Sequence, residues 1–181
     1  ASACDAEIDG IFYNFSGNEA TVTFRDAWYN SYKGDLVIPT SVSYNGKTYS
    51  VTSIGELAIN NCTSLNSITI PESVTTIEKN AFYWCPSLTS IHIPGSVKSI
   101  GNSAFYHCTG LTSVTISDGL TSIDGLAFLE CNALASITIP NSVKKIGGSA
   151  FRGCSSLTSI VIPEGVKSIG DQTFQDCLRL S

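Results

Sequence analysis

From Leu36 onward the apolar positions fall on one recurring template. The run Leu65-x-x-Ile68-x-Ile70 places alternate side chains on one face of a short extended segment, with Thr69 and its equivalents on the other. Pro71, Pro94, Pro140 and Pro163 end that strand, because proline has no N–H to give to a neighbouring ladder. Val74-x-x-Ile77 supplies a second inward-facing edge. Ala81-Phe82-x-x-Cys85 then sets a large and a small apolar residue at helical spacing, which predicts a short helical turn.

The cysteines fix the period. After Cys4 they stand at Cys62, Cys85, Cys108, Cys131, Cys154 and Cys177, each 23 residues from the last. Such a fixed period signals a solenoid, in which no repeat can bury its apolar face alone and stacking creates the core. Five full rungs run from Thr63 to Cys177. A divergent rung precedes them, with Leu36-Val37-Ile38-Pro39, an inserted Tyr44-Asn45-Gly46-Lys47 turn, Val51-Thr52-Ser53-Ile54, and Ile59 where the others carry Phe. The expected architecture is a set of right-handed parallel coils with a parallel β-sheet on one face and short helical turns opposite. With strands ~4.8 Å apart, six rungs span on the order of 25–30 Å.

An open array exposes core residues at its ends and needs covering there. Residues 1–34 carry two β-rich runs, Ile8–Phe15 and Ala20–Phe24, around Ser16-Gly17-Asn18-Glu19, and are expected to form an N-terminal β-hairpin cap. The solenoid then occupies residues 35–181, its last rung truncated after Leu178-Arg179-Leu180-Ser181. That end is expected either to pair end-to-end with a second copy or to continue in a longer parent.

Composition narrows the function. Charged residues make up 14% of the 181, against roughly 25% in an ordinary soluble domain. A net charge of −5 argues against sequence-independent nucleic-acid binding, which needs clustered Lys and Arg. Apolar runs of a few residues fall far short of the ~20 that span a bilayer, so no membrane insertion is expected. Ala1-Ser2-Ala3 fits the Ala-x-Ala end of a cleaved secretory signal and favours export.

The template Leu-x-x-Ile-x-Ile-Pro-x-x-Val-x-x-Ile-x-x-x-Ala-Phe-x-x-Cys, five times in register, resembles the BspA-like (Treponema pallidum-type) leucine-rich repeats over about Asp35–Ser181. Departures are local: Ser117 replaces proline and Thr173 replaces alanine. The resemblance implies a leucine-rich-repeat solenoid, preceded by a hairpin as in that family, on a secreted or cell-surface bacterial protein. For some members it implies roles in adhesion and host-protein binding.

No catalytic, cofactor or metal site is expected. The cysteine ladder reads as small apolar residues filling a corner of each rung. In-register thiols have parallel Cβ vectors, poorly aimed for disulfides, and ligands in a line do not converge on a metal. Cys4 lies outside the ladder and is expected as a pairing or reactive thiol, with a lipidated Ser2-Ala3-Cys4 the alternative. His92 and His107 share a rung but lie on different sides of the coil, and no nucleophile elbow, zinc motif or phosphate-binding glycine loop is present. Asn14 and Asn61 begin Asn-x-Ser/Thr sequons, a coincidence in a bacterial protein.

Two surfaces remain as candidates for a protein partner, such as a host extracellular-matrix or serum protein. One is the outward strand face, with the ladder Thr69, His92, Thr115, Thr138 and Val161 at its edge. The other is the pair of positions before each ladder cysteine, where Tyr83, Trp84, Tyr106 and His107 fall side by side. Lys98, Lys144, Lys145 and Lys167 form a weak basic stripe elsewhere. The expected function is a non-enzymatic secreted or cell-surface binding module. The alternatives are a structural spacer, or a non-catalytic domain of a larger surface protein or enzyme.

Overall fold

The computed structural model describes residues 4–25 and 30–181. The export reading of Ala1-Ser2-Ala3 therefore lies outside the described residues. The chain opens with strands β1 (Ala6–Ile8), β2 (Ile11–Ser16) and β3 (Glu19–Thr23), followed by β4 (Gly34–Val37), β5 (Ser41–Tyr44) and β6 (Lys47–Ile54). The rungs then contribute β7 (Leu65–Thr69), β8 (Thr76–Ile77), β9 (Ser90–Ile93), β10 (Ser99–Ile100), β11 (Ser113–Ile116) and β12 (Ser122–Ile123). The series ends with β13 (Ser136–Ile137), β14 (Lys145–Ile146) and β15 (Ser168–Ile169).

Three tight turns shape the first part of the chain. Asp9-Gly10 separates β1 from β2, both residues at positive φ (51° and 79°), as a two-residue hairpin turn matched to strand twist requires. The run Ile8–Phe15, read above as one β segment, is thus two strands. Gly17-Asn18 joins β2 to β3, and Asn45-Gly46, again both left-handed, joins β5 to β6. The β2–β3 hairpin is tied to the first rung by parallel pairing of β3 with β6. A cluster of Phe15 with Tyr44 and Tyr49, at centroid distances of 5.1 and 4.3 Å, packs beside this junction.

The sheet that runs the length of the array is formed by the second inward edge. β3, β6, β8, β10, β12, β14 and β15 pair in parallel succession within a ten-stranded sheet, at a register of one period from β6 onward and with a register shift between Ala20 and Thr21 where β3 meets β6. The Leu-x-x-Ile-x-Ile segments, expected to carry the sheet, pair only as β4–β7 and β9–β11–β13. Proline explains the difference. Ser117 N donates to Ile93 O at 3.0 Å, a bond that the prolines at the equivalent position of the other rungs cannot make. On the second edge no such gap arises, and Thr75, Lys98, Thr121, Lys144 and Lys167 each donate one rung back at 2.8–2.9 Å.

The structure also corrects the expected helical turns: among the described residues there is no helix. Each rung instead holds two residues at left-handed φ around its Ala-Phe pair, Asn80 and Trp84, then Ser103 and His107, Leu126 and Glu130, Ser149 and Gly153, Gln172 and Asp176. A left-handed residue every fourth position breaks a helix at both ends of a single turn. Their N–H groups turn outward along the array. Asn80 N, Phe82 N and Trp84 N donate to Asn102 O, Ala104 O and Tyr106 O at 2.9, 2.7 and 2.8 Å. The intervening Ala81 N and Tyr83 N close turns within the rung on Glu78 O and Asn80 O. The segment is therefore a second ladder, with neighbouring N–H groups alternately used between rungs and within one.

The interior follows from this register. Phe82, Phe105, Phe128 and Phe151 are fully buried and stack with Phe174 at centroid distances rising from 4.8 to 5.9 Å, their planes within 9°. Phe174 and Cys177 in the last rung are only partly buried. The six ladder cysteines, Cys62 to Cys177, form no disulfide. The thiols of Cys108, Cys131, Cys154 and Cys177 each donate to the Phe carbonyl of the preceding rung at 3.1–3.3 Å. Phe105 O thus accepts both Cys108 N and the Cys131 thiol, and its two lone pairs are used. Burial pushes the Cys62 and Cys154 thiols up to about 12.

Phe105→Ala should cost about 3–5 kcal/mol in denaturant unfolding, and Phe174→Ala, at the partly buried end, distinctly less. Equal costs would contradict the stacking description. Unfolded thiols ionise near ~8.5, so stability is full below that pH and falls toward pH 12, where the unfolded chain gives up protons that the fold retains. The urea midpoint should fall between pH 7.5 and 10.5, and fall less in Cys154→Ala. Ellman titration in denaturant should find at least six thiols, and fewer than six would refute the free ladder.

Candidate turn-face interaction site

The left-handed pair decides what the turn presents. Main-chain bonds on both sides of the Ala-Phe pair force Ala, Phe and Cys inward, so the two residues before each cysteine must point to solvent. Successive rungs then place equivalent side chains one above another. Tyr83 and Tyr106 stack at 4.6 Å between centroids, with planes 8° apart. Trp84 and His107 lie at 4.9 Å and a 59° tilt, and Tyr106 and His107 at 5.9 Å. Four residues singled out from sequence therefore form one continuous aromatic patch. Trp84 keeps 46% of its surface exposed, the most open aromatic side chain of the patch. Burial raises the Tyr83 phenol, and the adjacent Tyr106 adds to that shift.

The patch continues into charge. His107 Nδ1 lies 3.3 Å from Glu130 Oε2, the next residue up the same column. Glu130 lies 23 residues beyond His107, so the repeat period alone places the two side by side. Beside Tyr83, a hollow of about 360 Å³ is lined by Leu57, Asn60 and Asn80.

The strand-face candidates are less united. Thr69 sits at the end of β7 opposite Val37, in the separate two-stranded sheet. His92 and Thr115 face each other across β9 and β11, with His92 Nδ1 2.8 Å from Thr115 Oγ1. Ser117 Oγ lies 3.3 Å from His92 Nε2, so the serine that breaks the proline pattern completes a hydroxyl clamp on the ring. Sequence reasoning noted Ser117 only as a departure. A Ser–His–Thr chain has the order of a nucleophile, base and orienting group. Here the imidazole is exposed on the strand face, and the Gly119 N–H donates to Ser142 Oγ at 3.0 Å. Thr138 and Val161, the latter 77% exposed, line a shallow groove of about 520 Å³ with Ile116 and Pro140. The five residues thus occupy three separate places.

Among the described residues no group of three His, Cys, Asp or Glu side chains is placed to hold a metal ion. No helix among them is long and apolar enough to cross a membrane.

The repeat can now be compared with known proteins. The BspA-type leucine-rich repeat region matches in six copies, over residues 39–133 and 75–181. The chain belongs to this family. A solved leucine-rich repeat protein of T. pallidum is similar over 97% of this chain and 69% of its own, at 28% identity and a TM-score of 0.65. A leucine-rich cell surface protein of Faecalibacterium prausnitzii is similar over 86% of this chain and 53% of its own, at 26% identity and a TM-score of 0.52. The pneumococcal vaccine antigen PcpA shares the fold at 23% identity and a TM-score of 0.64, over 88% of this chain and 50% of its own. The chain thus spans about half the length of the latter two. No curated protein sequence matches it. As a BspA-type array, the chain is a repeat module of the kind that mediates protein interaction.

Proposed function

We propose that the chain is a non-enzymatic, secreted or cell-surface module that binds a partner protein, with host extracellular-matrix and serum proteins the class to test. The observation that carries this reading is the aromatic patch of Tyr83, Trp84, Tyr106 and His107. Large rigid aromatics cost little side-chain entropy to dock, and they are the residue types that dominate binding energy at interfaces. Each is held on a main chain bonded to both neighbouring rungs, so a partner meets a surface already in place. A surface location fits the F. prausnitzii relative, which is a cell surface protein. In this reading residues 1–34, with the hairpin β2–β3, cap the array, and residues 35–181 display it.

The test is binding of the purified chain to a panel of immobilised matrix and serum proteins, followed by surface plasmon resonance. The double variant Trp84→Ala, Tyr106→Ala should weaken the interaction by roughly 30-fold or more, the loss of a hot-spot pair. Its folding is checked by the denaturant midpoint. A structural spacer would bind nothing on the panel, or lose nothing in the variant, and either result would set the binding role aside.

A further inference from the structure

The charges on the turn face are distributed unlike those elsewhere on the array. The six turn segments together carry the carboxylates Glu56, Glu78, Asp124, Glu130, Asp171 and Asp176, against only two cations, Lys79 and Arg152. Both cations are engaged by turn-face carboxylates, Lys79 Nζ with Glu56 Oε1 at 3.2 Å and Arg152 Nε with Asp176 Oδ2 at 3.5 Å. The lysines of the basic stripe, Lys98, Lys144, Lys145 and Lys167, are exposed along the second-edge sheet instead. The face that bears the open Trp84 ring is thus also the acidic one, and Glu130 stands in the same column.

An open indole face attracts a cation through its ring quadrupole, and Glu130, two rungs along the same column beside His107, can pair with a further cation of the same segment. The chain already makes a contact of this kind, with Lys47 Nζ 4.9 Å from the centroid of the Tyr49 ring. An acidic partner would be repelled by the flanking carboxylates. A neutral one would gain from the rings but not from the charge.

We propose that the turn face recognises a basic segment of a protein partner, an Arg- or Lys-bearing stretch whose cations lie over Trp84 and Tyr106 and pair with Glu130. This deepens the binding role proposed above and rests on it for the identity of the surface. Arginine is preferred to lysine, since its planar guanidinium stacks on an aromatic face and can meet a carboxylate with two bonds.

The probe is a tryptophan-free peptide of alternating arginine and glycine, titrated into the full chain by calorimetry at low and high salt. Matched peptides carry lysine or glutamate in place of arginine, and a neutral oligosaccharide forms a further arm. Trp84→Asn is the informative variant, because Asn61 occupies the equivalent place in the preceding rung at a φ of 53° and keeps the left-handed backbone. Binding should rank arginine above lysine, with none for glutamate or sugar, and weaken several-fold from about 50 to about 300 mM salt. Trp84→Asn should weaken it about tenfold and Glu130→Gln about threefold, while Lys144→Gln on the other face leaves it unchanged. Absence of arginine-peptide binding at low salt, indifference to Trp84→Asn, or binding of the sugar instead would each overturn the proposal. If a matrix or serum protein still binds in a Trp84-dependent way, the chemistry fails and the binding role stands. If the peptide binds as described and no panel protein does, the chemistry stands and the broader role fails.

Discussion

The hydrogen bonds that join one turn to the next are the constraint on which the rest of this molecule depends. A left-handed backbone at a non-glycine residue is unfavourable by about 1–2 kcal/mol, yet residues as different as Leu126, His107, Glu130 and Gln172 adopt it here. They do so because the alternative leaves buried N–H groups without a partner, which costs as much or more. With the pair in place, Asn80, Phe82 and Trp84 all reach the next rung, and the turn becomes as much a ladder as the strands are. The thiol ladder belongs to the same system, since Cys131 takes up a lone pair of Phe105 O that the main chain leaves over. Cysteine suits that corner because it is small, apolar and still able to donate.

Function follows from what this constraint leaves free. Inside, the Phe, Ala and Cys positions are nearly invariant from rung to rung. Outside, the two residues before each cysteine from Cys85 onward are half-buried or exposed and vary freely from rung to rung. That freedom is used unevenly: Tyr83, Trp84, Tyr106 and His107 crowd the early rungs, Glu130 follows, and Arg152 and Asp176 pair beyond it. Rigid stacking then turns a local choice of residues into a surface, with aromatic faces at one end and carboxylates along it. The strand face has no comparable unity, because the prolines interrupt its pairing and scatter Thr69, His92 and Val161.

Much of this was legible beforehand. The cysteine spacing revealed the period, and the period revealed the buried positions, including Ile59 standing in for Phe, which is fully buried. The outward aromatics could be named because alternation with Ala-Phe leaves them no other direction. Two features were not legible, for one physical reason. Ala-Phe-x-x-Cys has helical spacing, and nothing in Asn80, Ser103, Leu126 or Gln172 as residue types announces a left-handed conformation; neighbouring rungs impose it. Likewise the strand at Leu65–Ile70 has the stronger β pattern, but pairing across rungs, not pattern within one, decides that the short Val-x-x-Ile edge carries the long sheet. The Asp9-Gly10 turn was a local signal and could have been read. The contact of Ser117 with His92 joins two separate departures from the repeat, visible only once the rungs are stacked.

Native-state hydrogen exchange, resolved by residue, tests the turn ladder most directly. If the turns are bonded from rung to rung, the amides of Phe82, Trp84, Phe105, His107 and Phe128 should be protected to the same degree as those of Ile77 and Ile100 in the continuous sheet, and should open with them. Exchange of these turn amides at the rates of free loops, with the sheet amides still protected, would show that the turns are not part of the ladder and that the aromatic face is not held in place.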